Sequence, residues 1–147
     1  MATPEDMGSV AEMIEELAAF EQAPAEARLS KEDLLLHGFG EHKRFECLVA
    51  QAESRVLGMA LFYERFSTWK GPTLYLEDLY VREGFRSQGI GERLLAHLRE
   101  ITRAGGYARL EWQVLDWNSS ALRFYERSGA IKDSGWVNMK FEGEQLA

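Results

Sequence analysis

The sequence is poor in cysteine and proline, and it has no long apolar segment. Its 147 residues include one cysteine and three prolines. A single cysteine cannot form an internal disulfide and is too few for a thiolate metal site. No apolar run approaches the roughly 18 residues of a membrane span, and the N-terminus lacks the basic and then apolar order of a signal peptide. We therefore expect a cytoplasmic protein that does not cross a membrane.

Positive charge is also scarce. The net charge of −7 argues against nucleic acid as a partner. Residues 82–127 nevertheless hold eight arginines against six carboxylates, whereas the rest of the chain holds nine basic and eighteen acidic residues. This distribution suits a protein that binds an anionic cofactor in one region and attracts a cationic substrate to another. Ordinary surface charge explains any single one of these residues equally well.

The side chains that could bind a metal are dispersed. His37, His42 and His97 do not have the spacing of metal ligands, and His97 is expected on a helix surface. Cys47 lies in an apolar stretch that is typical of a buried strand. A small core side chain is therefore favoured there over a catalytic nucleophile.

The pattern of apolar residues predicts one α/β domain over residues 1–147, long enough for a single core. Helices are predicted after caps at Thr3 and Ser30, from Ile90, and over residues 119–127. Residues 67–72 are predicted as a loop, because Gly-Pro breaks both kinds of element. The predicted strands are residues 45–51, 56–64, 73–81, 110–114 and 136–141. This order indicates a mixed sheet flanked by helices.

A basic, glycine-containing segment lies between the third predicted strand and the next helix. Glycine lets the backbone approach an anion, and the first N–H groups of a helix have no internal acceptors. The order Arg-x-x-Gly-x-Gly therefore predicts a diphosphate socket, while a tight turn would explain a lone Gly-x-Gly. It matches neither the dinucleotide loop nor the Walker loop. The segment consists of Arg86, Ser87, Gln88, Gly89, Ile90 and Gly91.

Two adjacent carboxylates, Glu77 and Asp78, interrupt the apolar strand that precedes this segment. Neighbouring strand residues point to opposite faces, so the two are not expected to share a proton. One can act as a general base and the other can attract a cation. Solvated carboxylates at a strand end are the alternative. If the strand splays from its neighbour, the unpaired backbone N–H and C=O groups of Leu79, Tyr80 and Val81 can bind an extended ligand.

A second signature begins at Asn118 and reads Asn-x-x-Ala-x-x-Phe-Tyr-x-x-x-Gly-Ala. Taken alone, Phe124 and Tyr125 would be core aromatics on a helix. Together with the upstream loop, and in this order, the signature resembles that of the GNAT N-acetyltransferases. The resemblance implies the GNAT acyl-CoA N-acyltransferase fold, with a mixed and mostly antiparallel sheet whose first strand is missing here. It also implies acetyl-CoA as cosubstrate and no metal.

Further segments resemble one branch of that superfamily, the diamine (spermidine/spermine) and thialysine N-acetyltransferases. The similar segments are residues 16–21, 33–35, 37–42, 47–50, 67–71, 75–81 and 115–118. This resemblance implies acetylation of a primary amine on a small cationic substrate. It further implies a homodimer in which each active site is formed by residues of both subunits. Because Cys47 is a poor candidate for an acyl-enzyme, direct attack in a ternary complex is expected.

Carried over residue by residue, the resemblance implies that Glu77 is the base, through a water, and that Tyr125 is the general acid. The residues implied in acetyl-CoA binding are Leu79, Tyr80, Val81, Arg86, Ser87, Gln88, Gly89, Ile90, Gly91, Glu92, Asn118, Ser119, Ser120, Ala121 and Tyr125. The residues implied in amine binding are Phe20, Glu21, Trp69, Glu77, Asp78, Glu111, Trp112, Gln113 and Trp136. Carboxylates and aromatic faces also suit an ammonium ion on physical grounds.

The chain departs from the diamine enzymes at Ser67 and Ser134, where those enzymes carry acidic residues. Fewer carboxylates match a long polycation less well and favour a lysine-like amino acid such as thialysine. Acetylation of a protein N-terminus or lysine is one alternative, and the acidic residues near Glu21 argue against it. A non-catalytic acyl-CoA-binding module is the other, and the presence of Glu77 and Tyr125 argues against that.

Overall fold

A computed structural model of the protein describes residues 1–146. The chain divides into two compact units, Met1–Gln113 and a second unit that begins at Val114. The first unit contains the sheet, and the second is built around one helix. The single domain expected from the sequence stays a prediction.

Two N-terminal helices precede the sheet, α1 (Met7–Phe20) and α2 (Lys31–Phe39). Thr3 and Ser30 each form a capping box with the carboxylate three residues further on. A single turn of 3-10 helix separates Thr3 from α1. The two predicted helix starts are therefore confirmed, with α1 itself beginning one turn later.

The sheet is mixed, as predicted. Its strands are β1 (Glu46–Ala52), β2 (Arg55–Ser67), β3 (Gly71–Val81) and β4 (Leu110–Glu111), in the order β1-β2-β3-β4. The first three are antiparallel, and β4 pairs parallel to β3. The described chain has no strand before β1, but the Ala2 N–H donates to the Cys47 carbonyl at 2.8 Å. The first residues thus lie along β1.

Both strands of the central hairpin are longer than predicted. β2 extends to Ser67 and β3 begins at Gly71, so the turn between them is only three residues long. The Ser67 hydroxyl accepts from the N–H groups of Trp69 and Lys70, at 3.3 and 3.2 Å. Pro72 is tolerated because it lies at the beginning of β3, where a missing N–H costs least.

Helices cover both faces of the sheet. Met7, Val10 and Met13 of α1 are fully buried against a face that includes Leu61 and Tyr80. The other face carries the alternate strand residues and contacts α3 (Ile90–Ala104). The α3 residues buried there include Ile90, Leu94, Leu95 and Leu98.

The second unit contains α4 (Ser119–Arg127), as predicted. The Asn118 side chain caps it by accepting the Ala121 N–H at 3.2 Å, and Gly129 ends it with a φ of 86°. The strand predicted over residues 136–141 is wrong, because the structure describes these residues as irregular chain. Their alternating apolar side chains are exposed instead of covering a sheet.

β4 is also shorter than the predicted strand over residues 110–114, since its pairing stops at Glu111. The short strand is nevertheless enough to place Glu111 beside Tyr75 of β3. Among residues 1–146, none of the helices combines the length and the apolar character that a membrane crossing requires.

Candidate active site

β3 is bulged at Glu77. The register runs from Leu61 opposite Asp78 directly to Phe62 opposite Leu76, so Glu77 has no counterpart on β2. An extra residue of this kind bends a strand and redirects its side chains. The bulge therefore decides where the two adjacent carboxylates point.

The bulge places Glu77 and Asp78 on the same face of the sheet. Asp78 shares a face with its cross-strand partner Leu61, and Tyr63 lies on that face two residues further along β2. The Tyr63 hydroxyl donates to Glu77 Oε2 at 2.8 Å, so Glu77 is on this face as well. The prediction of opposite faces is wrong, because the strict alternation that it assumed is interrupted.

Asp78 is half-buried, and its charged form is disfavoured. Loss of hydration raises the pKa of its carboxyl to about 6, and the negative charges of Glu77 and Glu21 act in the same direction. A carboxyl that titrates near neutral pH can both accept and release a proton under physiological conditions. Asp78 could therefore also serve as the base, and the functions of base and ammonium partner need not be divided between the two carboxylates.

Tyr63 is a site residue that the sequence did not reveal. Its half-buried ring packs against Tyr75, with ring centroids 5.4 Å apart. Burial and the Glu77 carboxylate both raise the pKa of Tyr63, so its hydroxyl stays protonated and remains a donor. Tyr63 belongs to none of the motifs, and only the register of β2 on β3 brings it to Glu77.

Phe20 and Glu21, two predicted amine-binding residues, lie at the C-terminal end of α1. The negative charge of Glu21 raises the pKa of Asp78, and burial raises the pKa of Glu21 itself. Phe20 lies beneath the guanidinium of Arg86, whose Cζ is 5.1 Å from the ring centroid. The structure therefore brings Glu21 to the carboxylate pair and Phe20 to the glycine-containing segment.

The other amine-binding candidates of the first unit are spread along the sheet. Trp69 is 83% exposed at the turn between β2 and β3. Both carboxylate oxygens of Glu111 are paired with guanidinium groups, with Arg65 at 3.2 Å and with Arg109 at 2.8 Å. Two further candidates lie in the irregular chain after β4, namely Trp112 and Gln113.

The glycine-containing segment has the backbone of an anion site. Ser87 and Gly89 adopt left-handed conformations, with φ of 61° and 76°, and Gly89 is the N-cap of α3. Left-handed residues in such a turn direct neighbouring N–H groups toward one point. Gln88 lies between the two. The first turn of α3 adds N–H groups without intrahelical acceptors, those of Ile90, Gly91 and Glu92.

Arg86 adds a fixed positive charge to this segment. Its Nε donates to the Val81 carbonyl at 3.0 Å, and its Cζ is 5.4 Å from the Tyr80 ring centroid. These contacts hold the guanidinium at the end of β3. The donor set of N–H groups and one guanidinium fits a diphosphate.

Within the first unit, Leu79, Tyr80 and Val81 pair with β2 on one side, while β4 pairs only further along β3. Gly58 on β2 lies behind them, where an added Cβ would be 3.0 Å from the Tyr80 carbonyl and 3.2 Å from Ile90 Cγ2. A glycine at position 58 therefore allows α3 to begin close to the sheet.

The second unit holds the remaining predicted residues. The Asn118 carboxamide oxygen accepts from the Ser120 hydroxyl and the Ala121 N–H, at 3.0 and 3.2 Å. Tyr125 is half-buried on α4, with its ring edge-on to Phe124 at 5.0 Å. Ser119 begins α4, and Trp136 is 75% exposed in irregular chain.

Cys47 is a core residue, as predicted. It is 4% exposed, and burial raises the pKa of its thiol to about 12. A thiol that stays protonated is a weak nucleophile. His97 is 57% exposed on α3, also as predicted. Among residues 1–146, no three His, Cys, Asp or Glu side chains are grouped as metal ligands.

Comparison with known proteins gives concordant matches. The model of the "Acetyltransferase (GNAT) family" matches residues 10–130. The thialysine N-epsilon-acetyltransferase of Mus musculus is 38% identical over 156 residues, which cover 99% of this chain and 92% of that protein. The spermidine/spermine N(1)-acetyltransferase-like protein 1 of Homo sapiens is 31% identical, covering 96% of this chain and 22% of that protein.

One solved structure extends the comparison to three dimensions. An integron cassette protein from the mobile metagenome of V. cholerae matches with a TM-score of 0.82 at 27% identity. The match covers 99% of this chain and 91% of that one.

Proposed function

Because the chain belongs to the acetyltransferase (GNAT) family and is an acetyl-transferring enzyme, we propose that it acetylates a primary amine of a small cationic molecule, with acetyl-CoA as the donor. The proposed substrates are lysine-like amino acids, such as thialysine, and polyamines. Relatives named for thialysine and for spermidine/spermine support this range. A homodimer and a cytoplasmic location stay predictions.

The observation that carries the proposal is the bulge of β3. It places Glu77 and Asp78 on one face, where Tyr63 donates to Glu77 at 2.8 Å. The charge of Glu21 adds to that of the pair. Three neighbouring carboxyl groups attract an ammonium ion and can take up the proton that it must lose.

The cosubstrate site is proposed at the C-terminal end of the same strand, directly after the carboxylate pair. The N–H groups after Gly89 and the guanidinium of Arg86 would bind the diphosphate, and the backbone of Leu79–Val81 would bind the extended pantetheine arm. The predicted contacts of residues 118–121 belong to the same proposal. When bound, acetyl-CoA supplies the acetyl group and a thiolate leaving group.

The chain's own residues then have two proton transfers to perform. A primary amine titrates near 10, so it is protonated at neutral pH and must lose a proton before its nitrogen can attack. Glu77 accepts that proton, directly or through a water. Tyr125 donates its phenolic proton to the departing sulfur and recovers one from solvent. Attack is direct, because the buried Cys47 thiol is a poor acyl carrier.

The test is release of free CoA thiol from acetyl-CoA with thialysine, lysine, putrescine, spermidine, spermine and a lysine peptide. We expect turnover with at least one small amine, and about a 100-fold loss of kcat in Glu77→Gln and Tyr125→Phe. Glu64 and Tyr107 form a similar pair at 3.0 Å, outside the proposed site. Glu64→Gln and Tyr107→Phe are therefore matched controls that should keep full activity.

The alternatives predict different results in this assay. Turnover of the peptide alone would indicate a protein acetyltransferase and overturn the small-amine proposal. Binding of CoA without turnover of any amine would indicate a non-catalytic acyl-CoA-binding module. Unchanged turnover in Tyr125→Phe would remove the general-acid role from that residue.

A further inference from the structure

A cluster with excess positive charge lies on the sheet near the carboxylate pair. Arg65 of β2 and Arg109 both bind the single carboxylate of Glu111, with N···O distances of 3.2 and 2.8 Å. Two guanidinium groups on one carboxylate leave one positive charge uncompensated. Arg65 and Arg109 are 50% and 44% exposed, so the cluster is accessible to a solute.

Arg65 and Glu77 both lie near one aromatic ring, that of Tyr75. The Arg65 Cζ is 4.7 Å from the centroid of Tyr75. The negative charge of Glu77 raises the pKa of the same phenol and the positive charge of Arg65 lowers it, so both groups are near Tyr75. Tyr63, which holds Glu77, and Arg65 are alternate residues of β2 and share a face.

The spacing of Arg65 and of the residue that binds Glu77 suits a particular kind of molecule. Tyr63 and Arg65 are two residues apart on β2, a backbone span of about 7 Å. An extended lysine side chain places its amine roughly 6 Å from its Cα, because five single bonds of about 1.5 Å join them. A lysine-like amino acid could thus direct its amine toward Glu77 while its carboxylate lies near Arg65.

We infer that Arg65 binds the α-carboxylate of an amino-acid substrate whose side-chain amine is directed to Glu77. The inference rests on the proposed function and narrows it to lysine-like zwitterions. A guanidinium can pair with a carboxylate through two parallel hydrogen bonds. A diamine would instead bring its second ammonium toward the excess positive charge of Arg65 and Arg109. The repulsion between these positive charges would lower the affinity for polyamines relative to amino acids.

The experiment compares each amino acid with its decarboxylated counterpart. The pairs are thialysine with bis(2-aminoethyl) sulfide, and lysine with cadaverine, assayed by release of CoA thiol. The wild-type protein should show a higher kcat/KM for the amino acid of each pair. Arg65→Gln should lower kcat/KM for the amino acid at least tenfold, mainly through KM, and leave the value for the diamine equal or higher.

Two further variants distinguish binding of the substrate carboxylate by Arg65 from a role of Arg65 in folding. Arg109→Gln removes the other guanidinium on Glu111 and keeps Arg65, so kcat/KM for the amino acid should fall less than in Arg65→Gln. Arg55→Gln is the matched control, because Arg55 lies at the other end of β2, with its Cζ 5.1 Å from the centroid of Phe85. It should behave as the wild type. Equal losses in Arg65→Gln and Arg109→Gln would indicate a structural ion pair and overturn the inference.

Calorimetric binding of thialysine to the CoA-loaded protein distinguishes failure of this inference from failure of the proposed function. Weaker binding in Arg65→Gln than in Arg55→Gln would support the carboxylate site even if turnover were absent. Turnover of diamines without any preference for the amino acids, and with no effect of Arg65→Gln, would overturn the site while the acetyltransferase function stands. Absence of both binding and turnover would overturn both.

Discussion

At the level of single residues, the electrostatic setting of Asp78 distinguishes it from the other strand carboxylates. It is half-buried, and its pKa is raised to about 6 by burial and by the negative charges of Glu77 and Glu21. An ammonium substrate would relieve this repulsion, since it brings the missing positive charge. We expect Asp78 to be ionised in the complex and largely protonated below pH 6 without substrate.

Replacing Asp78 with asparagine should therefore increase the free energy of unfolding at pH 8 but not at pH 4. The folded protein holds the Asp78 proton up to about pH 6, whereas an unfolded chain loses it near pH 4. The wild-type protein thus loses stability as the pH rises from about 4 to about 6. The Asp78→Asn variant would avoid this loss, a gain on the order of 2 kcal/mol.

Urea unfolding of both proteins at pH 4, 6 and 8 measures the effect. Asp116→Asn is the control, since Asp116 is exposed in the second unit. A gain in stability of equal size at all three pH values would contradict the raised pKa.

We expect Tyr63 to position Glu77, the proposed base. The hydrogen bond from its hydroxyl orients the Glu77 side chain on the bulge. Tyr63→Phe should lower kcat/KM about tenfold, because a hydrogen bond to a charged group contributes about 1.5–3 kcal/mol. The loss should fall on kcat, with KM for the amine little changed.

Tyr107→Phe is the control for this substitution, because it removes a similar tyrosine–glutamate bond outside the site. Steady-state kinetics give the result. A loss that fell on KM alone, with kcat unchanged, would contradict the positioning role.

At the level of elements, the junction of β2, β3 and α3 joins the proposed amine site to the proposed cosubstrate site. β3 carries the carboxylates at its bulge and, at its end, the backbone that we propose binds pantetheine. α3 begins directly after the left-handed residues of the loop. The close approach of α3 depends on the missing side chain of Gly58.

Gly58→Ala should destabilise the protein by about 1–3 kcal/mol, since the new methyl group would press on the Tyr80 carbonyl and on Ile90. It should also weaken CoA binding, because these residues set the position of the α3 N-terminus. Gly84→Ala is the control, since nothing lies within 4 Å of an added Cβ there. Thermal unfolding with and without CoA measures both effects, and equal results for the two variants would contradict the prediction.

At the level of the whole first unit, one arginine joins its N-terminal helix to the sheet. Arg82 follows β3 and pairs with Glu12 at 2.8 Å and with Glu16, both on α1. Its Nε donates to the Val56 carbonyl of β2 at 3.1 Å, and its side chain is only 15% exposed. This network fixes α1, and with it Glu21, relative to β3.

Arg82→Met should lower the free energy of unfolding by about 2–4 kcal/mol, because it leaves a buried carbonyl and a partly buried carboxylate without their partner. KM for the amine should rise as well, since α1 carries Glu21. Lys43→Met is the control, because the ion pair of Lys43 with Glu46 is half-exposed and should contribute less than about 1 kcal/mol. Urea unfolding provides the comparison, and losses of similar size in both variants would contradict the role of Arg82.

Features that depend on local chemistry are predictable from the sequence alone. The caps at Thr3 and Ser30, the helix from Ile90 and the helix after Asn118 follow from side chains that satisfy the ends of their own helices. The glycine-containing segment likewise has its backbone conformation encoded at Gly89. The mixed sheet could be predicted from these elements and their order, whereas the acetyltransferase family was identified through the resemblance of two motifs.

Only the tertiary structure decided which distant residues act together. The bulge at Glu77 is a property of how β3 pairs with β2, and no pattern within β3 alone predicts an interrupted alternation. The same register brings Tyr63 to Glu77 and Arg65 to Tyr75. The prediction of a strand over residues 136–141 is wrong for a related reason. Alternating apolar residues form a strand only where a partner strand is present to hydrogen-bond with their backbone. Strand pairing is long-range, whereas capping and helical periodicity are local, and this difference separates what the sequence predicts from what it does not.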